Sequence, residues 1–476
     1  MALGTQLMNK KPVLAVIVGN RGIFPDQLIK EGREKVLKKL EALGVETVVL
    51  AESQTDFGSV ETREDAKKCA RLFEEHRKEI DGILITLPNF GDEKAIAESI
   101  RMSGLEVPIL IHAFPDKKDQ LDLDRRADAF CGKLSAANNL YQYGYRYTNT
   151  TLHVESPDSK EFEDDIKRFV RICLVVKGLS HARVGAFGAR VSAFNTVRFS
   201  EKLMERSGIA VETIDLSEII GRADGMNKDD PKVVRRFEEI KEYIPTADVP
   251  DDALNKIARL SLVMKEWIEE EDLDAVAVQC WSALEEYYGV APCTAMSMLS
   301  QSGVPAACEV DIMGALSMYA LQLSSGTPAA LLDWNNNYGD DPDRCVMFHC
   351  SNLPACFFTE SNMRYLDLLA RTVDKGCTLG SIEGCIAPGP ATLLRLSTND
   401  TSGAIRGYVA EGSFEDEKLE SFGGRGVMHV KDLQVLLDYM VENGFEHHIA
   451  LTQAHTADVL KEAIGKYMGW NVYRHK

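Results

Sequence analysis

No stretch of this 476-residue chain stays apolar over the roughly 18 residues that a membrane-spanning helix needs. The first apolar run, Val13 to Val18, is also too short for the core of a signal peptide. Basic residues are not in excess: the formal net charge is −19, spread over many segments rather than gathered in a tail. That argues against nucleic acid and membrane partners, since both require a basic face, but leaves room for a small anionic substrate in a local basic pocket. The eleven cysteines include no Cys-x-x-Cys pair. Their odd count and irregular spacing predict reduced thiols and a cytoplasmic setting. Familiar catalytic signatures are missing as well. There is no Gly-x-Ser-x-Gly elbow and no His-Glu-x-x-His helix. Gly19-Asn-Arg-Gly22 lacks the Lys-Ser/Thr of a Walker loop. Gly185-Ala-Phe-Gly188 departs from Gly-x-Gly-x-x-Gly, although Asp215 ends the next strand pattern. Nucleotide and nicotinamide chemistry are therefore disfavoured.

What is present is a long alternation of strand and helix patterns. Val13–Val18, Val45–Leu50, Gly82–Thr86 and Val107–Ile111 read as strands, with helices predicted between them over 26–43, 61–76 and 93–102. Continuous apolar strands of this kind belong to a parallel sheet covered on both faces. The pattern lapses between Asp116 and Glu163 and then restarts, running to the strand Ala329–Leu332. Beyond residue 340, short β-type runs between Gly, Pro and Ser/Asn-rich turns replace it. The expected organisation is α/β: two Rossmann-like doubly wound domains, 1–170 and 171–340, then a β-rich, barrel-like domain over 341–476.

Three residues stand out at the ends of apolar runs. Glu309 closes Val304-Pro-Ala-Ala-Cys308, Asp333 closes Pro328-Ala-Ala-Leu-Leu332, and His448 lies in Phe445-Glu-His-His-Ile-Ala-Leu451. Ligands of parallel α/β folds bind just outside the carboxyl ends of strands. Two carboxylates and an imidazole suit a divalent ion of the Mn²⁺ kind, with Co²⁺ or Mg²⁺ as alternatives. The bland alternative is two acids capping helices and a surface histidine. Asp311 reads best as such a cap. His447 and His448, being adjacent, should point apart, so that at most one serves the site; Glu446 could orient the imidazole. Gln279 and Trp281 offer an amide and a ring for a sugar, unless Trp281 is simply core. Asn336 lies in the asparagine-rich stretch after Asp333, Arg21 just past the first strand, and Ser351 just past a strand near His349.

Together these residues resemble the L-fucose isomerase and L-arabinose isomerase superfamily of metal-dependent aldose–ketose isomerases. The resemblance rests on Cys308-Glu-Val-Asp311, Leu331-Leu-Asp-Trp-Asn-Asn336, Ala387-Pro-Gly-Pro-Ala-Thr-Leu-Leu394 and Glu446-His-His-Ile-Ala-Leu-Thr-Gln-Ala-His455. It implies that Glu309 and Asp333 bind the metal and exchange protons with a monosaccharide through an enediol, and that His448 completes the ligand set. Arg21 and Gln279 match family positions that contact substrate, and Trp281, Asn336 and Ser351 are further contacts expected from the residues themselves. It further implies a homo-oligomer, a hexamer or trimer, in which Arg21 completes the site of a neighbouring subunit. His455 matches a second family histidine. The chain is shorter than typical fucose isomerases, so fucose, arabinose and a C6-modified hexose carrying an anion all stand as substrates. The rival expectations are a non-catalytic two-lobed sugar-binding protein, and a metal-dependent hydrolase or aldolase using the same ligands.

Overall fold

The structure, a computed structural model, describes residues 10–122 and 124–476. They divide into two compact units, residues 10–177 and residues 178–476.

The first unit is a five-stranded parallel sheet in the order β2-β1-β3-β4-β5. Its strands are β1 (Val13–Val18), β2 (Glu46–Val49), β3 (Gly82–Leu87), β4 (Ile109–Ala113) and β5 (Thr148–Asn149). Side chains alternate across a strand. Accordingly Val13, Ala15 and Ile17 enter one apolar cluster, and Leu14, Val16 and Val18 another. Helices over Asp26–Ala42, Arg63–Glu75 and Glu93–Ser103 lie where the periodicity predicts them. Thr62 and Asp65 form a capping box at the second, and Asp92 caps the third.

The lapse in the sequence pattern holds helices that periodicity does not reveal, Ala129–Gln142 and the start of Lys160–Leu179. The first has a reason. Its buried stripe includes Ala129, Gly132 and Ala136, small residues that carry little apolar signal but allow close approach. A side chain on Gly132 would meet the carbonyl oxygen of Phe90 at 2.1 Å.

The second unit contains a four-stranded parallel sheet in the order β7-β6-β8-β9. It is built from β6 (Arg183–Phe187), β7 (Ala210–Ile214), β8 (Ala275–Val278) and β9 (Ala306–Cys308). The rest is a nine-stranded mixed sheet, β12-β13-β16-β11-β10-β17-β14-β15-β18. These strands are β10 (Ala330–Asn337), β11 (Arg344–His349), β12 (Phe358–Tyr365), β13 (Leu379–Ile386), β14 (Gly389–Asn399), β15 (Ala404–Phe414), β16 (Gly424–His429), β17 (His448–Thr452) and β18 (Asn471–Arg474). An additional pairing of β15 with β16 links strands far apart in that order.

Strand β10 differs from expectation. Its apolar start resembles a parallel strand, yet it runs antiparallel to both β11 and β17 within the large sheet. Asp333 therefore stands in mid-strand rather than at a strand end. One apolar cluster joins the two sheets, including Val276, Val278 and Cys308 with Leu332, Leu393 and Ile449. Among the described residues, no helix is long and apolar enough to cross a membrane.

Candidate active site

Strand β9 ends at Cys308, and the backbone then turns sharply. Glu309 and Val310 take φ of 60° and 55°. The left-handed region is disfavoured for L-residues by roughly 1–2 kcal/mol each, most of all for a β-branched one. The turn has two results. It leaves the Glu309 carboxylate buried at the strand end, and it sets Asp311 to cap the helix Ile312–Ser325, accepting from Gly314 N at 2.8 Å. The capping expected of Asp311 is present.

Register brings up the other groups. Asp333 on β10 pairs directly with His448 on β17 and, on its other side, with Phe348, next to His349. Directly opposed residues of antiparallel strands hold their side chains side by side. Nε2 of His448 lies 2.8 Å from Glu309 Oε2 and 3.6 Å from Asp333 Oδ1. Glu309 Oε2 is thus ion-paired with the His448 ring, and neither it nor Asp333 Oδ1 has a further hydrogen-bond partner. Burial of such atoms is costly, and two carboxylate oxygens converging beside an imidazole could hold a cation. Two further histidines border it. His349 groups with Glu309 and His448, and His447 groups with Asp333 and His448, the ligand atoms of each group lying within 4.8 Å of one another.

The two adjacent histidines thus converge rather than diverge. His447 precedes β17 and escapes the strand alternation that would send it the other way. His349, in contrast, was missed in sequence, hidden as the last residue of an ordinary-looking strand.

Behind this centre lies a fully paired ionic network. Nδ1 of His448 donates to Asp311 Oδ2 at 2.8 Å. Arg395 grips Asp311 through Nη1 at 2.5 Å and Nη2 at 3.2 Å, and its Nε donates to Glu446 at 3.2 Å. Glu446 also accepts from Ser397 Oγ at 2.7 Å. The acid that orients the imidazole is therefore Asp311, while Glu446 anchors the arginine. The sequence carried one signal for this: an arginine inside the apolar run Thr392-Leu-Leu-Arg-Leu396, buried to 0% exposure. Burial works against charge on His448, but its pairing with Asp311 and Glu309 outweighs that and pushes the ring up to about 10. Burial likewise opposes ionised Asp311, yet Arg395 and His448 hold it well below the usual carboxylate range. Glu309 follows the same pattern, with His448 and His349 overcoming burial to lower it.

The remaining expected contacts are placed as follows. Gln279 follows β8 and accepts from Ala189 N at 2.9 Å. Gly188, at φ +85°, makes room for it, since a side chain there would meet Gln279 Oε1 at 2.4 Å. That explains the second glycine of Gly185-Ala-Phe-Gly188 without a phosphate. Trp281 is half-buried and meets Phe194 edge-on at 5.2 Å between ring centroids, while Phe194 stands 6.4 Å from His448. Phe194 had no sequence signal. Ser351 is fully buried, and its hydroxyl accepts from Leu353 N at 3.3 Å. Asn336 lines a separate cavity of about 530 Å³ with Trp334, Asp340 and Leu433, which includes neither Glu309 nor His448. His455 is exposed, with Nδ1 3.6 Å from Glu411 Oε2. In the first unit, Arg21 pairs with Glu93 and lies 4.2 Å over the Phe90 ring.

The expectation of reduced thiols meets one exception. Cys280 and Cys308 are joined as a disulfide with their Cα atoms 6.2 Å apart. Val278 and Cys308 are partners across adjacent parallel strands, which brings Cys280 within bridging range.

Two family models match the chain. The fucose/sulfoquinovose isomerase N-terminal domain covers residues 15–180, and the L-fucose isomerase C-terminal domain covers residues 347–476. A sulfoquinovose isomerase from Alkalicoccus urumqiensis is 24% identical over 385 residues, covering 80% of this chain and 83% of that protein. One from Priestia aryabhattai is 26% identical over 196 residues, 41% of this chain and 44% of its own length. A third, from Clostridium sp. (strain MSTE9), is 23% identical over 350 residues, 70% of this chain and 74% of its own. Among solved structures, a periplasmic solute binding protein of an ABC transporter from Actinobacillus succinogenes 130z, with bound D-allose, aligns at 10% identity and a TM-score of 0.17. It covers 62% of this chain and 84% of that chain, at a score too low to imply a shared fold. With both terminal domain models matched in order over more than half of its length, the chain belongs to the L-fucose isomerase-like superfamily of sugar isomerases, which are intramolecular oxidoreductases.

Proposed function

We propose that this enzyme interconverts an aldose and its ketose at a divalent-ion centre held by Glu309, Asp333 and His448, with His349 at its edge. The observation that carries this reading is the convergence of two buried carboxylate oxygens on one imidazole nitrogen, with no further hydrogen-bond partner for either. A Mn²⁺-like ion, when bound, would polarise the sugar carbonyl and acidify the neighbouring hydroxyl. The protein's own part is proton transfer and placement. One of Glu309 and Asp333 takes the proton from C2 of the open-chain aldose, and a carboxylate returns one to C1 of the resulting enediol. Asp311 fixes the imidazole by accepting from Nδ1, so that Nε2 faces the centre. Gln279 supplies an amide for hydroxyls, and Trp281 with Phe194 supplies an aromatic wall.

For substrate, the names of the relatives favour a C6-modified hexose bearing a sulfonate, sulfoquinovose, ahead of fucose or arabinose. The test is a panel of these aldoses with metal-stripped and Mn²⁺-supplemented protein, read by ketose formation. Ketose from sulfoquinovose only with added ion is the expected result, and deuterium at C1 after turnover in heavy water supports the enediol. Binding without turnover would instead fit a sugar-binding protein, and cleavage products a hydrolase or aldolase.

The division into domains 1–170, 171–340 and 341–476, the Rossmann-like and barrel-like descriptions, and a cytoplasmic location belong to the same proposal. So does the homo-oligomer, hexamer or trimer, with Arg21 serving a neighbouring subunit. Mixing inactive Arg21→Ala and Glu309→Gln subunits should restore part of the activity. No recovery after proven subunit exchange would reject the shared site.

A further inference from the structure

The strand end that carries Glu309 also borders a chemically different group. Cys308 closes β9, His349 closes β11, and Cys350 follows it. One ligand atom of each lies within 4.8 Å of the other two, and all three residues are buried. Cys350 Sγ is 3.4 Å from Nδ1 of His349. Two sulfurs and an imidazole are a soft set that selects zinc, whereas the oxygen-rich set of Glu309 and Asp333 suits Mn²⁺ or Mg²⁺.

We propose that in the reduced protein Cys308, His349 and Cys350 form a binding site for a thiophilic divalent ion, Zn²⁺, directly beside the Glu309–His349–His448 group. The disulfide decides when this site exists. While Cys308 is bonded to Cys280 it has no thiolate to give. A trialkylphosphine reduces the bridge: the phosphorus takes oxygen from water and two electrons go to the S–S bond, giving two thiols and a phosphine oxide. Ion binding to the two cysteines displaces their thiol protons to solvent. His349 belongs to both groups, so zinc in the soft site withdraws it from the hard one. That competition rests on the isomerase reading; the soft site itself does not.

The experiment is zinc-edge X-ray absorption on phosphine-reduced, metal-stripped full-length protein given one molar equivalent of Zn²⁺. Cobalt absorption serves as a second probe. The expected result is two sulfur neighbours at about 2.3 Å, with a thiolate-to-cobalt charge-transfer band when Co²⁺ replaces zinc. Air-oxidised protein with the disulfide intact should lose one sulfur neighbour. Cys308→Ser and Cys350→Ser should each lose one, and Cys280→Ser should keep both. Only nitrogen and oxygen neighbours in the reduced wild type would overturn the proposal, even if the serine variants fail to fold. Sulfur ligation that survives Cys350→Ser but is lost in Cys280→Ser would also overturn it, placing the ion on the other side of Cys308.

Discussion

His112 in the first unit and His448 in the second are both buried imidazoles next to strand ends, and they are held in opposite states. His112 lies between the Thr86 hydroxyl and the carbonyl oxygen of Glu155, both at 2.9 Å. Burial, with the Lys133 cation adding to it, drives the ring down to about 3. His448 meets carboxylates on both nitrogens and is pushed up to about 10. Near His112 the Glu155 carboxylate also lacks a hydrogen-bond partner, and burial pushes it up to about 7; the contrast in pairing lies instead at the end of β1. Around Asn20, each amide has a partner: Glu61 accepts from it and Asn89 donates to it. Around His448, Glu309 and Asp333 each turn an oxygen to the histidine ring with no further hydrogen-bond partner. A self-satisfied strand end stabilises its fold. An unsatisfied one costs stability and is kept for binding or chemistry.

The sharpest way to break this comparison is to neutralise the open oxygens. Glu309→Gln and Asp333→Asn should each lower kcat by about 10²- to 10⁴-fold, the usual range for an acid–base group. Metal-free Asp333→Asn should unfold at no lower urea concentration than the parent. A clear loss of stability with activity retained would make these acids structural.

Next comes the network behind them. Arg395→Met leaves buried Glu446 without its cation and Asp311 with His448 alone, and should cost about 3–5 kcal/mol in urea unfolding. A neutral result would mean that the network is not load-sharing with the fold.

The pH response separates the two histidines. Unfolded chains bind a proton on His112 below about 6.5, whereas the folded unit does so only near 3. Stability should therefore fall as pH drops between those values, by about 1.4 kcal/mol per pH unit at most. His112→Gln keeps both hydrogen-bonding roles and should flatten that part of the urea-midpoint profile. An unchanged slope would assign it to other groups.

A smaller effect is expected of Asp311→Asn. Asparagine caps helices well, so the helix Ile312–Ser325 should persist, while the charge facing His448 is lost. A loss of about 10- to 100-fold in Mn²⁺ affinity or activity is typical for a residue that orients a ligand. Isothermal titration against the parent measures it, and equal affinity would remove Asp311 from the site's support. Smallest is Gly188→Ala, at about 1–2 kcal/mol for the left-handed backbone. It should also raise KM by displacing Gln279, and an unchanged KM would release Gln279 from substrate binding.

Much of this was legible along the chain. The parallel sheet of the first unit follows from fully apolar strands, because a strand covered on both faces has no polar side to show. Glu309, Asp333 and His448 were visible because charge at the edge of an apolar run is expensive and invites a reason. Asp311 read correctly as a cap, for capping is local. Only the tertiary structure revealed its second role, since Arg395 and His448 reach it from 84 and 137 residues away. Distance in sequence also hid His349, Phe194 and the Cys280–Cys308 bridge. The mid-strand place of Asp333 was decided the same way, by the antiparallel register of β10 with β17. Local composition can state what a residue prefers to bury or expose. Which residues then face one another depends on strand order and register, which are set by the packing of the whole unit rather than by any single segment.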